Sequence, residues 1–162
     1  MKYKDLHDWE ISPKEAIRLQ FELFKRIKSA KCPLGRLHSV AGVDVSVKDN
    51  VSQAAIVILS YPRLEIIESI TASGKTSFPY IPGLLSFREA PVILKCVKKL
   101  KKEPDLFIFD GQGMAHPRKM GIATHMGIIL DKPSIGSAKS RLCGKFSAPG
   151  EKKGDYSLMK DK

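Results

Sequence analysis

Three apolar runs that follow one another closely between residues 43 and 71 constrain the fold more than any other feature of the chain. In the first, Val43, Val45 and Val47 alternate with smaller or polar residues, which is typical of a half-buried strand. The second, residues 54–61, is almost continuously apolar, and the third covers residues 64–71. Because only short turns separate these runs, the three strands are predicted to pair in sequence order as an antiparallel meander.

The segment before the meander is predicted to be an amphipathic helix. Ser12 provides a helix cap, Pro13 suits the first helical position, and an acid follows at the third. An apolar stripe then extends to about residue 29. Its members are Ile17, Phe21, Phe24 and Ile27.

After the meander, helical and strand patterns alternate. A helix is predicted from about residue 87 to residue 101, with Pro91 in its first turn, and Pro117 is predicted to begin a second helix. Meander strands followed by this alternation predict a single α/β domain of 162 residues, in which helices flank a mixed sheet. The downstream elements are predicted at 87–101 (helix), 105–110 (strand), 117–130 (helix) and 133–139 (strand).

The composition favours a basic, water-soluble protein of the cytoplasm. A net charge of +11 attracts polyanions such as nucleic acids, although lysines at helical spacing between residues 95 and 102 would also arise on a solvated helix face. The apolar runs are shorter than a membrane span requires. The three cysteines, Cys32, Cys96 and Cys143, are scattered and odd in number, so we expect reduced thiols and no metal cluster built from them.

Three carboxylates are candidates for a cation site. Asp110 ends a predicted strand and is followed by glycines, Asp44 lies inside the first meander strand, and Glu89 falls at the predicted amino end of a helix. Taken singly, Asp44 could be a hydrogen-bonded structural residue, and Glu89 could be a surface residue whose negative charge is stabilised by the helix dipole. Taken together, carboxylates with room for water suit Mg²⁺. Lys139, at the end of the last strand, could neutralise a phosphate, although most such lysines are simply solvated.

Four segments of the chain contain the candidate residues in long motifs: 40–46, 78–89, 110–113 with 116–118, and 136–140. Together these segments closely resemble the endonuclease V family, and the resemblance extends from about residue 3 to residue 156. It implies a ribonuclease H-like fold and a Mg²⁺-dependent repair endonuclease, with Mn²⁺ as a substitute metal. Such an enzyme acts on deoxyinosine and cleaves the second phosphodiester bond 3′ to the lesion, leaving 3′-hydroxyl and 5′-phosphate ends.

The same resemblance implies a role for each candidate residue. Asp44 and Asp110 would be the principal metal ligands, Glu89 the third acid, and Lys139 the phosphate contact. Tyr80, held in the segment Pro79-Tyr80-Ile81-Pro82, would act as a wedge between strands, because prolines make a surface loop more probable than core packing. The lesion pocket would be formed around Gly83, Leu85 and Gly111, with Leu142 as a further candidate for its wall.

Four histidines receive different predictions. His116 and Arg118 are expected on the DNA side, although a histidine before Pro117 could equally cap a helix. The remaining three, His7, His38 and His125, are expected to be structural, and Trp9 is expected to pack the amino-terminal segment onto the core.

Members of the family usually continue beyond a chain of this length, so we expect the domain to lack their carboxy-terminal strands and helix. Two functions of different classes follow from this expectation. One is an active, monomeric endonuclease acting on DNA that contains deoxyinosine, with inosine-containing RNA as another substrate. The other is a catalytically impaired protein that still binds deaminated or distorted nucleic acid.

Overall fold

A two-residue turn sets the register of the meander. Asp49 and Asn50 have φ values of 51° and 58°, which is the left-handed backbone that a tight hairpin turn requires. Lys48 and Val51 therefore face each other and close the first strand pair. The computed structural model describes residues 1–28 and 34–160. It contains helices α1 (Pro13–Phe24), α2 (Leu85–Lys99) and α3 (Ile122–Leu130), a short 3₁₀ helix (Leu34–Arg36), and strands β1 (Ser39–Lys48), β2 (Val51–Ser60), β3 (Ile66–Lys75), β4 (Leu106–Asp110) and β5 (Ser134–Ser137).

The strands form one five-stranded sheet in the order β3-β2-β1-β4-β5. β1 pairs antiparallel with β2, and β2 with β3, whereas β1–β4 and β4–β5 are parallel. The antiparallel meander and the mixed sheet predicted from the sequence are thus confirmed. The meander strands are longer than predicted because their polar ends continue the backbone ladder beyond the apolar runs.

The main core lies between the sheet and the helices α2 and α3. Apolar residues of the sheet, such as Ile56, Phe107 and Phe109, are buried against it. The amino-terminal segment covers part of this core, with Trp9 packed on it as predicted and the terminal amine of Met1 donating to the carbonyl of Leu100 at 2.8 Å. In the described part of the chain, no helix is both long enough and apolar enough to cross a membrane.

The prediction for Pro91 is wrong. Helix α2 begins at Leu85, so Pro91 lies in its interior and not in its first turn. A proline there removes one helical hydrogen bond, at a cost of about 3 kcal/mol. The buried residues Phe87 and Ala90 precede it within the helix, and their packing offsets that cost. Glu89 consequently projects from the second turn of the helix.

The prediction that Pro117 begins a helix is also wrong, because α3 starts at Ile122. Lys119 has a left-handed backbone with φ of 54°, which a helix cannot contain. The amide of Gly121 donates to the carbonyl of Gly113 at 3.1 Å, so the chain between them is a folded loop. The alternative that His116 caps a helix is therefore also excluded.

Helix α1 begins as predicted, but it buries a different face. Ser12 and Glu15 form the reciprocal capping box that the sequence suggests. The helix ends at Phe24, earlier than predicted, and residue 29 lies outside the described residues. Three members of the predicted stripe are exposed and Ile27 is half-buried, whereas the side chains turned inward are Ala16, Gln20 and Leu23.

This orientation of α1 can be tested with two neighbouring substitutions. Leu23 is 2% exposed, so Leu23→Ala should lower the free energy of unfolding by about 2–4 kcal/mol. Phe24 is 43% exposed, and Phe24→Ala should cost less than about 1 kcal/mol. Urea unfolding followed by circular dichroism measures both. Equal losses would contradict the inward face assigned to α1.

Candidate active site

The parallel pairing of β1 with β4 brings two acids together. Val43 is paired with Phe109, so the next step of the same register sets Asp44 beside Asp110. Because side chains alternate along a strand, both acids point away from the face on which Val43 and Phe109 are buried. Glu89 joins them from α2 and Lys139 from the segment after β5, and all four line one pocket of about 300 Å³.

The two aspartates differ in their surroundings. Asp110 is half-buried, and its Oδ2 accepts a hydrogen bond from Nζ of Lys139 at 2.8 Å. This contact raises the pKa of Lys139 above its ordinary value. Asp44 is exposed, and its Oδ1 accepts from the amide of Val45 at 2.8 Å. Asp44 thus lies inside β1, as predicted, and its carboxyl group is open to solvent.

Glu89 is the most perturbed acid of the pocket. Burial, with smaller effects from the charges of Asp44 and Asp110, raises the pKa of its carboxyl group from an ordinary value of 4.5 to about 7, although the charge of Arg88 opposes the rise. Both aspartates are thus close enough to Glu89 for their charges to raise its pKa. A carboxyl group perturbed by burial and by like charges, in a pocket, is typical of a functional site.

The acids of the pocket fit a hard divalent cation. Their only ligand atoms are oxygens, which Mg²⁺ prefers, and Lys139 already holds a positive charge against Asp110. Within residues 1–28 and 34–160, no three His, Cys, Asp or Glu side chains are grouped closely enough to hold a metal ion. Mg²⁺ is commonly held by one or two carboxylates together with several waters, so the adjacent pair Asp44 and Asp110 meets its basic requirement.

The proline-rich loop, residues 79–84, presents an aromatic side chain to solvent. Tyr80 is 71% exposed, so the alternative in which it packs into the core is wrong. The loop is anchored on one side by Phe78, which is buried and whose carbonyl accepts from Nη1 of Arg88 at 2.7 Å. Ile81 is half-buried against the small cluster that contains Phe78, while Pro79 and Pro82 are exposed.

Most of the predicted lesion-pocket residues line the same pocket as the acids. They include two glycines with left-handed backbones, Gly83 with φ of 81° and Gly111 with φ of 145°. A Cβ on Gly111 would lie 2.7 Å from Cγ2 of Ile122, so only glycine fits there. Arg118 stands behind the pocket and donates to the carbonyl of Gly83 at 3.0 Å. The predicted residues that line the pocket are Tyr80, Ile81, Pro82, Gly83, Leu85, Gly111, His116 and Leu142.

The structure also shows a buried hydrogen-bonded chain that the sequence did not reveal. His125 is fully buried, and its two ring nitrogens contact Oγ of Ser86 at 2.9 Å and Nε2 of His7 at 2.9 Å. Burial, with a smaller effect from His7, lowers the pKa of His125 to about 3, so its ring is neutral. The structural roles predicted for His7 and His125 agree with this packing. Ser86 lines the pocket, but no motif in the sequence links it to a distant histidine.

Gln20 is the other residue that sequence reasoning missed. It is a fully buried polar side chain on α1, and it donates to the carbonyls of Gly83 and Met120 at 3.0 and 3.1 Å. Its only sequence signal is its position four residues after Ala16 and three before Leu23, on one face of α1.

Comparison with known proteins assigns the chain to a family. A sequence model of endonuclease V matches residues 21–162. The endonuclease V of Kosmotoga olearia is 47% identical over 162 residues, which are 100% of this chain and 71% of that relative. The endonuclease V of Dehalococcoides mccartyi is 47% identical over 159 residues, with 97% of this chain and 71% of the relative covered. The chain belongs to the endonuclease V family.

Solved structures of the family share its fold. Endonuclease V from Bacillus subtilis matches with a TM-score of 0.91 at 35% identity, over 98% of this chain and 71% of that chain. Ciona intestinalis endonuclease V, in complex with a 24mer DNA containing an inosine followed by a ribo-adenosine, matches with a TM-score of 0.74 at 33% identity, over 78% of this chain and 57% of that one. The mixed sheet with three helices is thus the ribonuclease H-like fold that the sequence resemblance implied.

The electrostatics of Glu89 predict how the stability of the metal-free protein changes with pH. A raised pKa means that the folded protein binds the proton more tightly, so this contribution to stability is complete below about pH 4.5 and lost as the pH rises through about 7. Glu89→Gln should therefore raise the free energy of unfolding at pH 8, by about 1–2 kcal/mol after allowance for partial exposure, and have little effect at pH 4.5. Urea unfolding in EDTA at the two pH values measures the difference. A gain of equal size at both would remove the electrostatic explanation.

Proposed function

We propose that this protein is a Mg²⁺-dependent endonuclease that recognises deoxyinosine in DNA. It hydrolyses the second phosphodiester bond 3′ to the lesion and leaves 3′-hydroxyl and 5′-phosphate ends. One observation above all supports this function: Asp44, Glu89, Asp110 and Lys139 line a single pocket next to an exposed, proline-bounded Tyr80. Membership of the family, and the inosine-containing DNA bound by its Ciona relative, support the nucleic-acid substrate.

Asp44 and Asp110 would hold the metal ion, and Glu89 would contribute the third acid. When bound, Mg²⁺ or its substitute Mn²⁺ supplies activation of water and stabilisation of negative charge on the phosphate. In the metal-free protein the carboxyl group of Glu89 holds its proton up to about pH 7, which keeps three negative charges from meeting in one pocket. Lys139 offsets the charge of Asp110 in the same way, and its exposed ammonium is free to turn towards a phosphate.

The remaining residues of the pocket would receive the lesion base. Gly83, Leu85 and Gly111 bring backbone atoms close to the cavity, and backbone N–H groups can read the oxygen that hypoxanthine carries in place of the amine of adenine. His116 and Leu142 would complete the wall, with Arg118 behind them. Tyr80 would enter the base stack and hold the strands apart while the base is extruded, since an aromatic between prolines loses little freedom on insertion.

A second candidate is a binder of deaminated nucleic acid that does not cleave it. It is favoured by the spacing of the acids, because no three of them in the described part of the chain are grouped closely enough for a metal ion. A lesion-bearing duplex and inosine-containing RNA, each incubated with the 162-residue protein in Mg²⁺ or EDTA, separate the two candidates. Selective binding without a Mg²⁺-dependent nick would favour the binder and overturn the endonuclease.

Removing either aspartate tests the proposed reaction. Asp44→Asn and Asp110→Asn should lower the rate of cleavage of a deoxyinosine duplex at least about a hundredfold, while lesion binding in EDTA remains measurable. Asp49→Asn is the matched control, because Asp49 lies in the β1–β2 turn outside the pocket and its left-handed backbone tolerates asparagine. Normal cleavage by either pocket variant would show that the acids are not metal ligands.

The wedge is tested separately from cleavage. Tyr80→Ala should reduce the preference for deoxyinosine over undamaged DNA by about tenfold, because an inserted aromatic contributes about 1–3 kcal/mol of stacking. Ile66→Ala is the control, since Ile66 is 72% exposed, as Tyr80 is at 71%, and it lies at the opposite end of the sheet. Competition binding with fluorescent duplexes gives the preference, and an unchanged value for Tyr80→Ala would exclude the wedge.

A further inference from the structure

Three side chains from distant parts of the sequence donate hydrogen bonds to one carbonyl oxygen, that of Gly83. Nε2 of His116 lies 2.9 Å from it, and Nε2 of Gln20 and Nη2 of Arg118 each lie 3.0 Å from it. A carbonyl oxygen has two lone pairs, so three donors exceed what an ordinary turn requires. We call Gln20, His116 and Arg118 the Gly83 clamp.

Gln20 is the central member of the clamp. Besides Gly83, its amide nitrogen donates to the carbonyl of Met120, and its Oε1 accepts from Nε of Arg118. These partners determine the orientation of the amide, because two carbonyls require the nitrogen and a guanidinium requires the oxygen. Although Gln20 belongs to α1, these side-chain hydrogen bonds therefore go to the proline-rich loop and to the loop before α3.

His116 also contacts the carbonyl of Gly83, and its other hydrogen bonds define which tautomer its ring adopts. Its Nδ1 lies 3.1 Å from the amide of Arg118 and 3.3 Å from that of Met120, and backbone amides can only donate. Nδ1 is therefore unprotonated, and Nε2 carries the hydrogen that is donated to Gly83. His116 is 4% exposed, so its ring is both buried and oriented by these bonds.

The clamp explains why residue 83 is a glycine. A Cβ there would lie 2.9 Å from Nη2 of Arg118 and 3.3 Å from Nε2 of His116, and the φ of 81° disfavours any other residue. Gly83 directly follows Pro82 and lines the pocket, three residues after the exposed Tyr80. The carbonyl that the clamp holds is thus the second attachment of the loop, opposite the buried anchor at Phe78.

We propose that Gln20 is a positioning residue for Tyr80 and for the lesion pocket, which it controls through the carbonyl of Gly83. This role rests on the proposed function, because it assigns to Gln20 the placement of the loop that would meet the lesion. A purely structural role would direct its hydrogen bonds to α1 or to the sheet, whereas they go to the proline-rich loop and to the loop before α3. When the Gln20 side chain is removed, Nε of Arg118 loses the acceptor that orients it. The substitution therefore weakens the contact of Arg118 with Gly83 and also removes the hydrogen bond from Gln20.

The first test examines the loop without any substrate. Gln20→Met keeps the volume of the side chain and removes its hydrogen bonds, while Leu23→Met changes a neighbouring buried residue of α1 without touching the clamp. Hydrogen–deuterium exchange of peptides covering residues 78–87 should become about tenfold faster or more in Gln20→Met, and stay unchanged in Leu23→Met. Equal exchange in the two variants would overturn the proposal. Gln20→Glu keeps an acceptor for Arg118 but places an oxygen opposite the two carbonyls. It should therefore speed exchange as Gln20→Met does, and it serves as the test variant if Gln20→Met fails to fold.

The second test measures lesion engagement in an Asp110→Asn background, which prevents cleavage. A duplex with 2-aminopurine beside deoxyinosine should brighten on binding, because the adjacent base is unstacked, and Gln20→Met should reduce this signal and lower lesion preference about tenfold. Affinity for undamaged duplex should not change. If the parent gives the lesion-dependent signal and Gln20→Met gives it undiminished, the positioning role is wrong and the proposed function stands. If the parent itself shows no lesion preference, the proposed function fails and the positioning role fails with it.

Discussion

The parallel pairing of β1 with β4 is the constraint on which the candidate site depends. The two strands are joined through the rest of the meander and α2, and their register sets Asp44 beside Asp110. Because side chains alternate along a strand, a shift of one residue in β1 would turn Asp44 into the core and Val43 towards the pocket. The packing of Val43 and Phe109 under α2 and α3 thus determines the separation of the acids as well as the stability of the sheet.

The pocket concentrates negative charge in a protein whose net charge is +11. Two features relieve the resulting repulsion in the metal-free protein. Lys139 pairs with Asp110, and burial together with both aspartates raises the pKa of Glu89 to about 7. A divalent cation would relieve the same repulsion, and a phosphate would compete with Asp110 for Lys139. The groups that balance the charge of the pocket are therefore those that a metal and a nucleic acid would rearrange, while the remaining positive charge favours approach of a polyanion.

Sequence reasoning identified the meander, the capping box of α1 and the acids, because each depends on local pattern or on motifs that stand close together in the chain. It failed where distant contacts override local preference. Pro91 is tolerated inside α2 because the helix is held by burial, and α1 turns Gln20 inward because the carbonyls of Gly83 and Met120 satisfy its amide. The apolar periodicity of α1 correctly predicted a helix. It could not predict the buried face, because that face depends on the two distant carbonyls that bind Gln20.

The loop that carries Tyr80 shows how these distant contacts serve an exposed residue. An aromatic side chain that is 71% exposed gains little from packing, so its position has to come from the backbone on either side. On one side Phe78 is buried and Arg88 binds its carbonyl, and on the other the clamp binds the carbonyl of Gly83. The prolines between these anchors restrict the intervening backbone. Exposure and rigidity are therefore compatible here, because the ordering entropy is lost when the protein folds and not when Tyr80 meets a ligand.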